Sequence, residues 1–266
     1  MFLTFIAYSL LGWIGEVVYC FILDRRFTNR GFLNGPLCPV YGFGGLLVAY
    51  PLAGLASNPV ALFFAASLAT SVLEYATGWA LETLFSTKWW DYSRYRFQIH
   101  GRVWIVNSAL FGLAAVGAAS FVQPSILAAL DRAPPLALHI GAAALAAAFL
   151  ADLSATLRTM AGFRVRLAAL EDFVESLAEN LAAREWFNER DLSGSLARIR
   201  QRAREERTAI NERVASRLET LLRRSRSMRR LIRAFPTMRS RRHGKQLELF
   251  QHLYRRLNRD EREAKK

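Results

Sequence analysis

The sequence has little that would stabilise a secreted, disulfide-bonded domain. Cys20 and Cys38 are the two cysteines among 266 residues, and both lie in or beside apolar sequence. This cysteine content excludes a disulfide scaffold, and a hydrophobic content of 52% excludes an intrinsically disordered chain.

The sequence also lacks the short motifs of nucleotide and metal chemistry. No glycine-rich loop ends in Gly-Lys-Ser or Gly-Lys-Thr, so we expect that this chain does not encode an ATPase. The four histidines are scattered and none forms a His-x-x-x-His pair, so we expect no metal site and no cofactor. Carboxylates alone are weak evidence for catalysis, and we predict that the protein is not an enzyme.

Charge is scarce in the first part of the chain and abundant in the second. Residues 158–266 hold 28 of the 36 basic residues and 15 of the 22 acidic ones, which is +13 of the net charge of +14. This segregation predicts two parts: a transmembrane domain over 1–157 and a basic, amphipathic, helical cytoplasmic tail over 158–266. The predicted fold class is all-α, a polytopic membrane helical bundle.

Five apolar segments in the first part approach the roughly 20 residues that a transmembrane helix needs. They cover residues 2–23, 40–56, 60–85, 103–122 and 136–157. The second segment is short and contains Gly42, Gly44, Gly45 and Pro51, so we expect a broken or re-entrant element there.

Basic residues in the short loops predict the orientation in the membrane. They follow the first and third segments, whereas the turn at 57–59 is uncharged and the tail is strongly basic. Because basic loops stay on the cytoplasmic side, we expect an N-terminus outside and a C-terminus inside, in the inner membrane of a bacterium.

Three polar residues occur at a similar depth in three apolar segments: Glu16, Glu74 and Asn107. An ionisable group in hydrocarbon is costly unless it faces protein or water, so these residues predict a polar pocket open to the cytoplasm. Helical spacing adds neighbours on the same faces. The predicted pocket residues are Glu16, Tyr19, Glu74, Thr77, Glu82 and Asn107, with Arg30 and Arg102 as charge partners. Static ion pairs of Glu16 and Glu74 with loop arginines are an equally weighted alternative to a substrate or ion site.

An aromatic and basic run follows the third segment. Trp89, Trp90 and Tyr92 lie beside several arginines at the predicted inner interface, where aromatic residues anchor membrane proteins among headgroups. We therefore interpret these three residues as interfacial anchors and favour this over a dedicated ligand site.

The tail is predicted to be helical over 164–183, from about 196 to 221, and over 246–257. Self-association through these helices and packing on the membrane domain are equally compatible with the pattern. Residues 223–242 contain nine arginines and no acid, which favours anionic lipid over nucleic acid because the segment is tethered to a membrane. The predicted lipid-binding residues are Arg223, Arg224, Arg226, Arg229, Arg230 and Arg233.

Several motifs follow one another in a fixed order over residues 3–120. They are Gly12-Trp13 with Glu16, the 29–33 stretch continuing into 35–42, Leu73-Glu74-Tyr75 with Thr77-Gly78, Glu82, the 89–93 run and Gly101-Arg102. Together they resemble a bacterial family of type IV ABC-transporter permeases. The resemblance implies a permease-like subunit of an ABC transporter, with its ATPase on another chain. Five helices are few for a translocation path, so we also expect an oligomer or a second membrane subunit.

Two other functions compete with this hypothesis. In the first, the protein is a membrane scaffold whose basic tail binds anionic lipid or protein partners, and the buried carboxylates only order the bundle. In the second, which we rank lowest, the two glutamates perform acid-base chemistry on lipid.

Overall fold

The computed structural model describes residues 1–25, 27–182 and 226–240, together with residues 244, 247, 248 and 251. Contacts divide the chain into two compact units. The first comprises Met1–Ala161 and Arg230–Arg241, and the second comprises Gly162–Arg229 and Arg242–Lys266. All the contacts described below lie within the first unit.

The described part of the chain is mainly helical. The helices are α1 (Phe2–Asp24), α2 (Pro39–Ala49), α3 (Pro59–Phe85), α4 (Ile105–Gly117), α5 (Gln123–Arg132), α6 (Pro135–Ala182) and α7 (Arg226–Ala234). Four stretches are long and apolar enough to cross a membrane by length and composition: Phe2–Ile22, Pro59–Phe85, Ile105–Arg132 and Pro135–Gly162. The prediction of a membrane helical bundle is therefore confirmed at this coarse level.

The predicted span over 40–56 is not a full-length helix. The helix α2 has 11 residues, or about 16 Å at 1.5 Å per residue, which is too short for a hydrocarbon core of about 30 Å. It ends just before Pro51, which has no N–H with which to continue the helix, and a 3₁₀ turn at Ala53–Leu55 follows. The predicted count of five spans is accordingly not confirmed.

The fourth predicted span also differs from the structure. Instead of ending at Val122, the chain passes through a π-helical turn at Ala118–Val122 into α5, so the helical run reaches Arg132. Pro124 is tolerated because it stands in the first turn of α5, where its missing N–H costs least. Most of the connection between the predicted segments 103–122 and 136–157 is thus helical.

The glycines of α2 allow a close approach to α1. A Cβ at Gly42 would overlap the Phe5 ring and the Ser9 hydroxyl, and one at Gly45 would overlap the Tyr8 ring. Small residues let helix backbones approach closely in membrane proteins. The sequence pattern suggested that these glycines would loosen α2. In the structure they instead allow α2 to pack closely against α1.

Helix α3 has a side-chain cap at its first turn, and polar and apolar contacts join it to α4. Asn58 caps α3 by accepting a hydrogen bond from the Ala61 amide at 3.1 Å. The Ser71 hydroxyl donates to Ser108 Oγ at 2.6 Å. A buried apolar cluster of Val48, Leu62, Ala66 and Ala115 ties α2 to both helices.

The loops after α1 and α3 meet each other and the C-terminal segment. The Phe32 and Trp89 rings contact edge to face at 5.6 Å between centroids, and Phe235 contacts Trp89 at 4.9 Å. Strand β1 (Thr87–Lys88) pairs antiparallel with β4 (Arg239–Ser240), and β2 (Gln98–Ile99) pairs antiparallel with β3 (Val103–Trp104). Residues 230–240 are thus part of the unit that contains the apolar helices.

Most predictions for the tail lie outside the described residues. These include the helix expected from about 196 to 221, the residues Arg223 and Arg224, the side chains of Arg226 and Arg229, and most of the helix expected over 246–257. Residues 164–182 are helical as the C-terminal part of α6.

Candidate functional site

A cavity of about 450 Å³ lies among α1, α2, α3 and α4, within the size range of ligand-binding pockets. Its walls are mainly apolar and aromatic. Tyr41, Phe111 and Tyr92 are among the rings that line it, and Phe235 reaches it from the C-terminal segment. The polar side chains in this lining include Glu16, Arg30, Thr70, Glu74, Thr77 and Asn107.

Glu16 has partners on both carboxylate oxygens. The Tyr41 hydroxyl donates to Glu16 Oε1 at 2.6 Å, and Arg30 Nε lies 3.6 Å from Glu16 Oε2. Arg30 also donates through Nη1 to Cys20 Sγ at 3.0 Å. The charge of Glu16 is therefore balanced by a neighbouring guanidinium.

Glu74 is more deeply buried, at 7% exposure, and the described residues engage one of its two carboxylate oxygens. Asn107 Nδ2 donates to Glu74 Oε1 at 2.9 Å, and the Tyr92 hydroxyl lies 3.5 Å from the same oxygen. Glu74 Oε2 is buried and has no hydrogen-bond partner among the described residues. A buried carboxylate oxygen without a partner is costly, and in proteins such an oxygen is usually satisfied by a water, an ion or a ligand.

The structure separates two of the predicted pocket residues from the cavity. Tyr19 is 57% exposed and does not line it. Glu82 is 2% exposed and instead binds Arg102, whose Nε donates to Glu82 Oε2 at 2.9 Å. Arg102 also donates to the Tyr75 hydroxyl at 3.0 Å and lies over that ring. Glu82 and Arg102 therefore form a separate buried ion pair.

The predicted interfacial anchors take three different positions. Trp89 is 3% exposed and contacts the rings of Phe32, Phe85 and Phe235, so it is surrounded by protein. Trp90 donates through Nε1 to the Arg102 carbonyl at 2.8 Å. Tyr92 lines the cavity beside Glu74. Burial raises the pKa of the Tyr92 hydroxyl, and the neighbouring Glu74 raises it further.

Arg230 binds the loop after α1. Its Nη1 donates to the carbonyls of Gly31 and Leu33, both at 2.8 Å, and its Nη2 donates to the Phe32 carbonyl at 3.1 Å. Burial lowers the pKa of Arg230, although the charge of Asp152 opposes this effect. Arg233 Nη2 donates to the Phe27 carbonyl. Both arginines were predicted to bind lipid, and in the structure both bind protein carbonyls.

The first unit matches a known protein family. The family model, described as "Putative ABC-transporter type IV", matches residues 3–157, which is more than half of the chain. The chain belongs to this family. Membership and the four long apolar helices make it a transporter-associated membrane protein. Neither a curated protein nor a solved structure gives a significant match.

Sequence reasoning missed two residues within the part that matches the ABC-transporter family. Tyr41 binds Glu16, whereas the sequence analysis includes it only within the 35–42 motif. Asp152 on α6 accepts hydrogen bonds from the Asn34 amide at 3.0 Å and the Gly35 amide at 2.7 Å. Asp152 is the single acidic residue of the apolar segment 136–157, so the reasoning applied to Glu16 and Glu74 would have found it.

The described residues include no group of three or more histidine, cysteine, aspartate or glutamate side chains that could hold a metal ion. Cys20 and Cys38 are both buried and unbonded to each other. Burial raises the pKa of the Cys38 thiol to about 12, which suits an inert, packed residue.

Proposed function

We propose that this chain is the permease-like membrane subunit of an ABC-type transporter, with ATP hydrolysis carried out by a separate chain. The observation that carries the proposal is the cavity with the half-engaged Glu74 carboxylate, in a member of a transporter family. An ionisable residue inside a membrane bundle that faces a cavity is typically a substrate or ion contact.

Contacts between the two basic loops support the proposed orientation. Phe32 contacts Trp89, so the loop after α1 and the loop after α3 lie at the same end of the helices. Both loops are basic, which favours the cytoplasmic side of a bacterial inner membrane. The same end would offer the surface for the ATPase, and an oligomer or a second membrane subunit would complete the translocation path.

The first test is purification of the intact complex from its native membrane, followed by mass spectrometry. The proposal expects a nucleotide-binding subunit to co-purify with the full chain. Replacement of the exposed loop residues Arg94 and Arg96 by serine should reduce its recovery, whereas replacement of the exposed Arg132 at the end of α5 should not. Recovery of lipid and non-transport partners alone, from a complex shown to be intact, would contradict the proposal.

A scaffold function remains the second candidate because of the charge of the tail, where residues 158–266 hold 28 basic residues. Such a tail gains about 1 kcal/mol per basic residue near an anionic leaflet. The full-length protein, already inserted in a membrane, should then bind separate vesicles that contain phosphatidylserine, and this binding should weaken as the salt concentration rises. Equal binding to neutral vesicles would remove this candidate.

A further inference from the structure

We infer that the cavity binds an organic cation with an apolar body, whose positive charge lies against Glu74 Oε2. This inference rests on the proposed function and specifies its substrate class. It follows from the charges, the wall chemistry and the size of the cavity.

The charges of the cavity do not balance. Among the described residues that line it, the charged side chains are Glu16, Glu74 and Arg30. Arg30 is engaged by Glu16 and Cys20, so the Glu74 carboxylate has hydrogen-bond donors but no cation. A ligand with one positive charge would neutralise the site, whereas an anion would meet two carboxylates.

The position of the unpartnered oxygen agrees with this charge requirement. Asn107 and Tyr92 hold Oε1, which fixes the carboxylate and leaves Oε2 as the acceptor without a partner among the described residues. Glu74 is itself more than nine-tenths buried and belongs to the cavity lining. A protonated amine would donate a hydrogen bond to this oxygen, and an organic cation without an N–H would compensate the carboxylate charge alone.

The walls favour a cation that carries an apolar group. Tyr41, Phe111 and Tyr92 present rings to the cavity, and aromatic faces attract cations. The remaining lining is chiefly apolar, and a space of about 450 Å³ is far larger than a metal ion or a proton requires. An amine or quaternary ammonium with an aromatic or alkyl body matches both properties.

The test measures equilibrium binding of radiolabelled tetraphenylphosphonium to the full-length protein in lipid nanodiscs, with empty nanodiscs as background. Tetraphenylborate, an anion of nearly the same shape, is the matched probe. We expect saturable binding of the cation, weaker by at least about tenfold in Glu74→Gln because a buried charge partner is lost. Glu74→Asp should retain selectivity for the cation, and Asp131→Asn, which removes an exposed carboxylate outside the cavity, should bind as the unmodified protein does.

A second variant covers the case in which Glu74→Gln does not fold. Gly44 lines the cavity, and a Cβ there would meet only Leu73 Cδ2, at 3.9 Å. Gly44→Leu should therefore fold, occupy the cavity and weaken cation binding by a similar factor. Unchanged binding in a folded Glu74→Gln or Gly44→Leu protein, or equal protein-dependent binding of both probes, would overturn the inference. If the unmodified protein shows no saturable cation binding but still co-purifies with an ATPase, the substrate class is refuted and the proposed function stands.

Discussion

Arg102 and Glu82 form an ion pair that is almost completely removed from solvent. The side chains are 11% and 1% exposed, and Arg102 Nε donates to Glu82 Oε2 at 2.9 Å. Arg102 lies shortly before the start of α4 and Glu82 lies near the end of α3, so the pair ties these neighbouring elements together. Glu82 thus has a cationic partner, whereas Glu74 has none among the described residues.

Glu82→Gln should destabilise the protein strongly. Removal of the carboxylate charge leaves the buried Arg102 guanidinium uncompensated, and breaking such a pair costs about 3–5 kcal/mol. Thermal unfolding of the purified protein in one detergent measures the effect. Asp131→Asn, at an exposed position, is the control and should change stability by less than about 0.5 kcal/mol. Equal unfolding temperatures for the two variants would contradict the prediction.

Asp152→Asn should loosen the connection between α6 and the loop after α1. The carboxylate accepts from the Asn34 and Gly35 amides, and an asparagine side chain can supply only one acceptor oxygen. The loss of a charge-assisted hydrogen bond should cost about 1.5–3 kcal/mol in unfolding free energy. Ser154→Ala, two residues away on the exposed surface of the same helix, should have little effect. A similar loss in both variants would argue against a specific role of Asp152.

Arg230→Lys should release the loop at residues 31–33. A lysine ammonium is a compact charge that cannot bind three carbonyls in the way the planar guanidinium does. With two hydrogen bonds of about 1 kcal/mol lost, amide hydrogen exchange in residues 29–38 should accelerate at least about tenfold. Arg239→Lys is the control, because Arg239 is 57% exposed and contacts Asp91 at 3.3 Å. Unchanged exchange in Arg230→Lys would show that the loop is held by other contacts.

Acidification should weaken the contribution of Asp91. Burial alone would raise its pKa, but hydrogen bonds from Ser93 and the charges of Lys88 and Arg239 hold the pKa below its ordinary value. Because the folded-state pKa is the lower one, the stabilisation is complete above the unfolded value of about 3.9 and is lost as the pH falls through the folded value.

The measurement is the difference in unfolding free energy between the unmodified protein and Asp91→Asn from pH 7 to pH 3. The difference should be constant down to about pH 5 and should shrink below about pH 4. A difference that is independent of pH would show that the carboxylate charge contributes nothing to stability.

Local sequence patterns were sufficient to predict the positions of the long helices α1 and α3. The expected segments 2–23 and 60–85 differ by a residue or two from α1 and α3, since long apolar stretches have few alternatives to a helix in a membrane. The resemblance to the ABC-transporter family was confirmed by the match over residues 3–157. The break expected in segment 40–56 agrees with the short helix α2, which ends just before Pro51. The expected end of α4 was wrong, because a π-helical turn continues the helix within otherwise apolar sequence.

The amino-acid sequence by itself determined that apolar helices occupy the first part of the chain, and that Glu16, Glu74 and Asn107 need a protein or water environment. Tertiary structure alone decided how each charge is balanced. Arg30 lies beside Glu16, Arg102 lies beside Glu82, and one oxygen of Glu74 has no partner among the described residues. The physical reason is that helical periodicity specifies the face on which a residue lies, whereas charge pairing depends on which helices and loops are adjacent in space.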